Sequence, residues 1–306
     1  MSDFLAPVFQ TGFFTSAPVH TALIIGAVVA IVAGPLGLFT VMRGQSFAGE
    51  ALGDIGTTGG SAAFLVGVGP LWGFLIVGVV AAAAMELIGI QRARGRDLAT
   101  GIVLGASLGL AALFLYFDTT VHNTTGAAVT ILFGSLFAVS TSTIPLVLTL
   151  AAVVLGVLSV IHRPLLLSTI NPDLAAARGI PVRIVGASYL LALAVSVALC
   201  AITIGSLLST ALLIGPAAAA LRVTRRPGVA AVLASLLGVV AIFIGIVLAY
   251  DSFDWPPHGH GWPVSFFITC MVFVLYLCSG VPAWHERRHA HTAGSPSLPK
   301  LPLLEA

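Results

Sequence analysis

Long uninterrupted runs of apolar residues constrain this chain more than any other feature. Hydrophobic residues occupy 58% of its 306 positions, and only 8% of the residues are charged. A soluble domain carries roughly a quarter charged residues, and this chain has too few to keep its surface in water. In a bilayer every backbone N–H and C=O must be paired inside the structure, which spanning helices achieve. The sequence therefore predicts an all-α polytopic membrane protein.

The predicted number of spanning helices is nine, because nine apolar runs approach the roughly 20 residues that such a helix needs. Since two runs are short and rich in Gly or Ser, the count ranges from eight to ten. A further apolar segment at 126–139 contains Gly134 and is too short to span, so we expect a half-helix or re-entrant segment packed inside protein. The predicted spans are 19–42, 50–68, 70–91, 97–117, 141–162, 184–204, 205–222, 228–250 and 263–282.

The basic residues predict the orientation of the chain. With nine alternating spans, all thirteen Lys and Arg residues fall on one side of the membrane. The positive-inside tendency makes that side cytoplasmic, with the N-terminus outside and the C-terminus inside. We expect an extracytoplasmic segment at 1–18, a transmembrane domain at 19–282 and a cytoplasmic, disordered tail at 283–306. The predicted location is the cytoplasmic (inner or plasma) membrane.

One short polar helix is predicted within the sequence STINPDLAAARGIPVR, residues 168–183. Asn171 is a good N-cap residue, Pro172 suits the first helical position and Asp173 complements the helix dipole. Gly179 is a typical residue to end the helix. A plain turn between two spans also needs caps. However, the length and rigidity of this linker favour insertion into a groove on another protein.

Two carboxylates lie near the start of the second predicted span. Glu50 and Asp54 are four residues apart, so both lie on one face of a helix. Carboxylates within a span are costly and usually face a cavity, a partner or an ion. The pair is therefore a candidate cation site. The alternative is that both carboxylates are solvated at the cytoplasmic surface, close to Arg43.

Other polar or helix-breaking residues are weaker candidates. Glu86 lies at the inner end of its span beside a basic loop, and we expect a local ion pair there. His258 and His260, in the outer sequence HGH, are a candidate extracytoplasmic metal contact. Gly205, before the run that contains Pro216, predicts a broken or bent span of the kind that lines transport pathways.

Nucleotide and nucleic-acid binding are not predicted for this chain. It lacks the glycine-rich phosphate-binding loop that ends in Gly-Lys and Ser or Thr, and its only lysine is Lys300. No basic patch suggests nucleic acid. If ATP drives this protein, a separate subunit must bind it.

Five stretches, in this order, resemble the membrane permease of ABC-type metal importers, the family that includes zinc, manganese and iron permeases. They are AGPLGLFTVMRGQSFAGEALGDI, DLATGIVLGASLGLAALFL, ILFGSLFAVS, INPDLAAARGIPVR and LLSTALLIGPAAAALR. The resemblance covers about residues 19–282. The resemblance implies alternating access by a homodimeric or paired permease, a cytoplasmic ATP-binding subunit and an extracytoplasmic substrate-binding protein. It implies no bound cofactor, because the metal ion is the cargo. It also implies a coupling segment at about 171–183, whose ATPase-contacting residues would be Asn171, Pro172, Asp173, Leu174, Ala175, Ala176, Ala177, Arg178 and Gly179.

The resemblance also bears on the cargo. The family pattern has an Asp followed four residues later by a His, and this chain has Glu50 and Asp54 at those places. All-oxygen ligands favour Mn²⁺, whereas Zn²⁺ prefers imidazole or thiolate. Manganese is therefore the favoured cargo, with zinc and iron as alternatives, and the missing imidazole leaves a non-metal substrate open. At a dimer axis, four carboxylates would surround one ion.

Two functions of other classes would use the same acidic residues. An ion-coupled secondary transporter needs buried acids but no ATPase, and the capped cytoplasmic helix argues against it. An intramembrane aspartyl protease would need Asp54 and Asp251 in one site. Residue 51 is Ala, so the Gly-x-Gly-Asp pattern is missing, and the predicted topology places the two acids near opposite faces. We therefore expect a transport subunit and not an enzyme.

Overall fold

The computed structural model describes residues 13, 16–87, 93–121, 126–134, 136–255 and 261–292. Within these ranges the protein is all-α, with eleven α-helices, a few 3-10 turns and no strand. The helices are α1 (Ala17–Met42), α2 (Ser46–Leu65), α3 (Pro70–Leu87), α4 (Ala93–Val121), α5 (Ala127–Phe133), α6 (Ile144–Ile170), α7 (Pro172–Ala177), α8 (Val182–Ile204), α9 (Ser209–Val223), α10 (Pro227–Asp251) and α11 (Val264–Thr292).

Each of the nine predicted spans corresponds to one helix, and the two remaining helices, α5 and α7, are short. Among the described residues, five helical stretches are long and apolar enough to cross a membrane, and they belong to α1, α4, α6, α8 and α10. Shorter apolar stretches belong to α3, α9 and α11. Helix α2 is in neither group because its Gly, Ser, Thr and acidic residues lower its hydropathy. A helix at each of the nine predicted positions is therefore confirmed, whereas the number of helices that cross the membrane, nine, stays a prediction.

Several predicted boundaries differ from the helices, and α6 in particular continues to Ile170, beyond the predicted 162. Helix α2 covers Ser46–Leu65 and not 50–68, since the chain turns from α1 into α2 within three residues. Helix α11 continues to Thr292, so the prediction of a disordered tail from 283 is wrong for 283–292. That stretch contains neither Gly nor Pro and has Glu and Arg, which favour helix. Residues 293–306 lie outside the described residues.

Helices α1 and α8 form the centre of the bundle. Most of both helices is buried, whereas the apolar stretches of α4 and α6 are largely exposed. Helix α1 packs against α6, α8, α9 and α10, and α2 packs against α3, α4, α8 and α9. Because α8 contacts both groups, it joins the helices around α1 to those around α2. The exposed apolar side chains of α4 and α6 are suited to lipid.

Glycines allow a close approach between α2 and α3. A Cβ on Gly59 would lie 2.2 Å from the carbonyl oxygen of Gly73 on α3, and a Cβ on Gly73 would lie 1.9 Å from the carbonyl oxygen of Gly59. Any side chain at either position would therefore push the two helices apart. Small residues allow this kind of backbone contact between helices in a membrane.

A half-helix forms where it was predicted, and it meets the break between α8 and α9. Helix α5 ends at Phe133 and is followed by Gly134, which has a φ of 75°, while α8 is followed by Gly205, with a φ of 87°. The backbone N–H of Ser206 donates to the carbonyl of Ile131 at 3.1 Å, and the next N–H donates to the next carbonyl. The backbone groups freed by the two interrupted helices therefore satisfy one another, as non-helical segments inside a membrane must.

Candidate functional site

Helix α2 is buried along most of its circumference and open along one face. Its glycines and small residues contact neighbouring helices, whereas Glu50 is exposed and Asp54 is half-buried. Phe47, 44% exposed, lies on the same open face. Glu50 and Asp54 interact electrostatically, as expected for side chains one helical turn apart. The structure thus places both predicted cation ligands together on the open side of an otherwise packed helix.

A single copy of the chain supplies only part of a cation site at this face. No group of three or more His, Cys, Asp or Glu residues lies together among the described residues. Hard divalent cations generally take six or more oxygen ligands, and two carboxylates provide at most four. Additional ligands must therefore come from water or from another chain. The other candidate metal ligands, His258 and His260, lie outside the described residues.

The predicted break in the α8–α9 region lies directly behind the acidic face. A Cβ on Gly53 would lie 3.1 Å from Ser209 Oγ and 3.6 Å from the carbonyl oxygen of Ser206. The Ser209 hydroxyl donates to that carbonyl at 2.8 Å. In the described structure the hydroxyl of Ser206 is buried and has no hydrogen-bond partner. A polar, non-helical segment therefore packs against α2 one residue from Asp54.

The predicted polar helix is present as α7, with both of its ends capped. The Oδ1 atom of Asn171 accepts a hydrogen bond from the backbone N–H of Leu174 at 2.9 Å, and Pro172 occupies the first helical position. At the other end Gly179 has a φ of 76°. The N–H groups of Gly179 and Ile180 donate to carbonyls of the last helical turn at 2.9 and 3.0 Å. These two bonds form a Schellman motif, so the predicted N-cap and stop are confirmed.

The docking segment, by which we mean residues 171–179, is almost entirely accessible. Ala175 is its one buried residue, and it anchors α7 to the bundle. Leu174 is 43% exposed and the neighbouring Ile170 is 71% exposed. The helix itself is shorter than the predicted 171–183 segment, because Val182 and Arg183 already belong to α8. The exposed surface combines apolar side chains with the charged groups of Asp173 and Arg178.

The ion pair predicted for Glu86 is present, but with an unexpected partner. Glu86 Oε1 lies 4.0 Å from Nε of Arg183 on α8. The Arg183 side chain is 74% exposed, so the pair contributes little to stability. Sequence proximity had indicated the basic loop after α3, whereas the packing of α3 against α8 supplies the partner.

A buried polar cluster at the end of α1 was missed by the sequence reasoning. The Oη atom of Tyr189 lies 2.7 Å from the Oγ1 atom of Thr40, and both side chains are fully buried. The guanidinium of Arg43 lies over the Tyr189 ring, 5.3 Å from its centroid. A lone tyrosine in an aliphatic span is a signal that could have indicated this cluster, because a buried phenol requires a hydrogen-bond partner.

The protease alternative gains no support from the structure. Asp251 is the last residue of α10, and Asp54 lies on α2. The two helices share no substantial contact within the described residues. An aspartyl protease would need both carboxyl groups in one site.

A helical membrane bundle with interrupted helices, an acidic face and an accessible capped helix has the architecture expected of a transporter's membrane domain. The chain belongs to the ABC 3 transport family, whose model matches residues 17–279. The resemblance to ABC-type permeases and the assignment as a multi-pass membrane protein are thereby confirmed.

Individual relatives and a solved structure are similar over most of the chain. The manganese transport system membrane protein MntC of Halalkalibacterium halodurans is 34% identical over 234 residues, which is 75% of this chain and 78% of the relative. The high-affinity zinc uptake system membrane protein ZnuB of Haemophilus influenzae is 27% identical over 77% of this chain and 90% of the relative. A chain of PsaBC from Streptococcus pneumoniae, solved in complex with Fab, is 26% identical with a TM-score of 0.73. That match covers 88% of this chain and 93% of the solved one.

Proposed function

We propose that this chain is the permease subunit of an ATP-driven importer that moves a divalent metal cation, with manganese favoured, across the plasma membrane. The observation that carries the proposal is the open face of α2, where Glu50 is exposed and Asp54 is half-buried. Carboxylates within a spanning helix usually face a cavity, a partner or an ion, and a transported cation would satisfy that requirement.

A second copy of the chain is the proposed occupant of this open face. Two facing α2 helices would bring four carboxylates around one cation, which completes an oxygen site that one copy leaves unfinished. Four negative charges so close together repel one another, so we expect one carboxyl to hold a proton until the cation arrives. Homodimerisation and cation binding are thus linked in this proposal.

The choice of manganese follows from the ligand atoms. The site offers carboxylate oxygens and no described His or Cys, and such sites suit Mn²⁺ better than Zn²⁺. The printed names of the relatives refer to manganese for MntC and to zinc for ZnuB. We therefore place zinc and iron behind manganese as cargo.

The proposed topology has nine spans, with the N-terminus outside and all basic residues on the cytoplasmic side. The docking segment would then face the cytoplasm, where its exposed Leu174 and Arg178 would contact a separate ATP-binding subunit. An extracytoplasmic binding protein would deliver the cation to the opposite face. ATP-driven movement of the docking segment would alternate access to Glu50 and Asp54.

The proposal is tested with the complex of this chain, its ATP-binding subunit and its binding protein in proteoliposomes. We expect Mn²⁺ to stimulate ATP hydrolysis and to accumulate in the lumen, with weaker responses to Zn²⁺ and Fe²⁺. Glu50→Gln and Asp54→Asn should abolish the stimulation without affecting assembly. The matched control is Asp251→Asn, which removes an acid at the end of α10. A flat response to all three metals, or normal stimulation in both α2 variants, would refute the proposal.

A further inference from the structure

Arg43 lies where α1 ends, and its side chain contacts three other parts of the chain. Its Nη1 atom donates to Ser168 Oγ at 3.4 Å and to Thr169 Oγ1 at 3.5 Å, near the end of α6. Its Nε atom donates to Gln45 Oε1 at 3.3 Å, and its guanidinium covers the Tyr189 ring on α8. One planar cation therefore connects the ends of α1 and α6, the start of α2 and the side of α8.

The two hydroxyls on α6 are suited to this role because their hydrogens are used elsewhere. Ser168 and Thr169 both donate to the carbonyl of Leu165, at 2.9 and 2.6 Å. Their lone pairs are thus available to accept from a guanidinium, whose donors form a rigid fork. Burial lowers the pKa of Arg43, while its interactions with Tyr189 and Glu86 raise it. The group stays a cation, since arginine is not deprotonated in proteins.

The contact on α6 lies immediately before the docking segment. Ser168 and Thr169 precede Asn171, whose own N–H still donates to a carbonyl of α6 at 2.9 Å. The end of α6 and the N-cap of α7 are therefore one hydrogen-bonded unit. A force on α7 would therefore also act on Ser168 and Thr169.

The contact on the other side lies immediately before the acidic helix. Gln45 is the N-cap residue of α2, and its carbonyl accepts from the N–H of Gly49 at 3.1 Å. At about 1.5 Å per residue, Glu50 lies only about 6 Å along α2 from its first residue. Because a helix moves as a rigid element, a displacement of its N-cap reaches both carboxylates.

We propose that Arg43 is a positioning residue that transmits the movement of the docking segment to α2, and so to Glu50 and Asp54. This inference deepens the proposed function and rests on it. Arg43 touches neither the cation nor the ATP-binding subunit in this scheme. It acts by linking the hydroxyls that end α6 to the turn that begins α2.

The experiment compares two variants that break the link from opposite sides in the reconstituted complex. Arg43→Gln replaces the guanidinium by a shorter, neutral amide, and the double variant Ser168→Ala with Thr169→Val removes the acceptors while retaining similar side-chain volumes. Arg225→Gln is the matched control, because Arg225 is an exposed cation in the link between α9 and α10. The readouts are the number of Mn²⁺ ions moved per ATP hydrolysed and a nucleotide-dependent thiol modification of α2.

For the thiol readout, Phe47→Cys is introduced into a chain in which the exposed Cys270 and Cys278 are replaced by Ser. Cys200 is retained because it is fully buried and inaccessible to the reagent. The modification rate is measured with and without ATP and vanadate. In the parent we expect nucleotide to change the modification rate by about fivefold or more, since fivefold is about the smallest effect typical of coupling between distant sites. Arg225→Gln should behave as the parent.

We expect Arg43→Gln and the double variant to lose the nucleotide effect on the modification rate. The number of ions moved per ATP should fall at least about fivefold, while the basal rate of ATP hydrolysis stays unchanged. A parent-like nucleotide effect or ion-to-ATP ratio in the double variant would overturn the inference, as would a parent without any nucleotide effect. If Arg43→Gln does not assemble, the double variant decides. If the parent moves no cation, the proposed function fails, and the thiol readout still tests Arg43.

Discussion

The capping of α7 allows a quantitative prediction about docking of the ATP-binding subunit. Helix α7 has six residues, far fewer than the 12–15 or so at which an isolated helix becomes even marginally stable in water. Its one buried residue gives it little tertiary support. The helical population of α7 therefore depends on the Asn171 cap and on Gly179. If the subunit binds the helical form, weaker caps must weaken binding.

The structure sets the expected magnitude. Replacing Asn171 by Ala removes the 2.9 Å bond to the N–H of Leu174 and costs about 1 kcal/mol, or about fivefold in affinity. Replacing Gly179 by Ala forces a residue with a Cβ into a φ of 76°, at a cost of about 1–2 kcal/mol. If the two costs add, they sum to about 2–3 kcal/mol, and the double variant binds about 30- to 150-fold more weakly.

The assay is a titration of fluorescent ATP-binding subunit onto the chain in lipid nanodiscs, followed by anisotropy. The control is Asn171→Ser, which retains a side-chain oxygen that can accept from the N–H of Leu174. We expect Asn171→Ser to bind nearly as tightly as the parent and Asn171→Ala to bind about fivefold more weakly. Equal affinities for the Ala and Ser variants would refute the reasoning, because the cap would then not govern docking.

Three further predictions concern stability. Gly59→Ala would place a Cβ 2.2 Å from the carbonyl oxygen of Gly73, so the free energy of unfolding should fall by about 1–3 kcal/mol and the melting temperature in detergent should fall with it. The control is Gly105→Ala, which has open space around its Cβ and should melt as the parent does. In Gly205→Ala the new Cβ would lie 2.2 Å from a carbonyl oxygen of α5, and the residue would have to adopt a positive φ that alanine disfavours. Fluorescence-detected size-exclusion chromatography should therefore show little monodisperse protein, and a parent-like peak would contradict this. Tyr189→Phe removes the buried hydrogen bond to α1 and should cost about 1 kcal/mol in the same melting assay, whereas an unchanged melting temperature would show that the bond contributes nothing.

The sequence predicted features that depend on local interactions. The cap, the first turn and the stop of α7 involve hydrogen bonds between residues at most five positions apart, so Asn171, Pro172 and Gly179 were sufficient to place them. The apolar runs likewise predicted each long helix, because a bilayer leaves a backbone few alternatives. The same-face arrangement of Glu50 and Asp54 follows from the helical period alone.

Features that depend on tertiary contacts were not accessible from the sequence. The partner of Glu86 is Arg183, far along the chain, because α3 packs against α8. The cluster of Thr40, Arg43 and Tyr189 also joins separate helices, and the lone tyrosine of α8 indicates a buried hydrogen-bond partner without indicating which residue supplies it. Helix α11 is longer than predicted because the residues at 283–292 favour helix, although a polar composition is also typical of disordered segments.

The contact between α5 and the α8–α9 break has a consequence for biosynthesis. The carbonyls of Ile131 and Leu132 accept hydrogen bonds from Ser206 and the residue after it, which are translated much later. While the ribosome is still making α6 to α8, the end of α5 has no such donor and must take another one from water, lipid head groups or the insertion machinery. These two hydrogen bonds therefore form only after α6, α7 and α8 have been made. We expect a chain arrested before Ser206 to leave the carbonyls of Ile131 and Leu132 without their native donors.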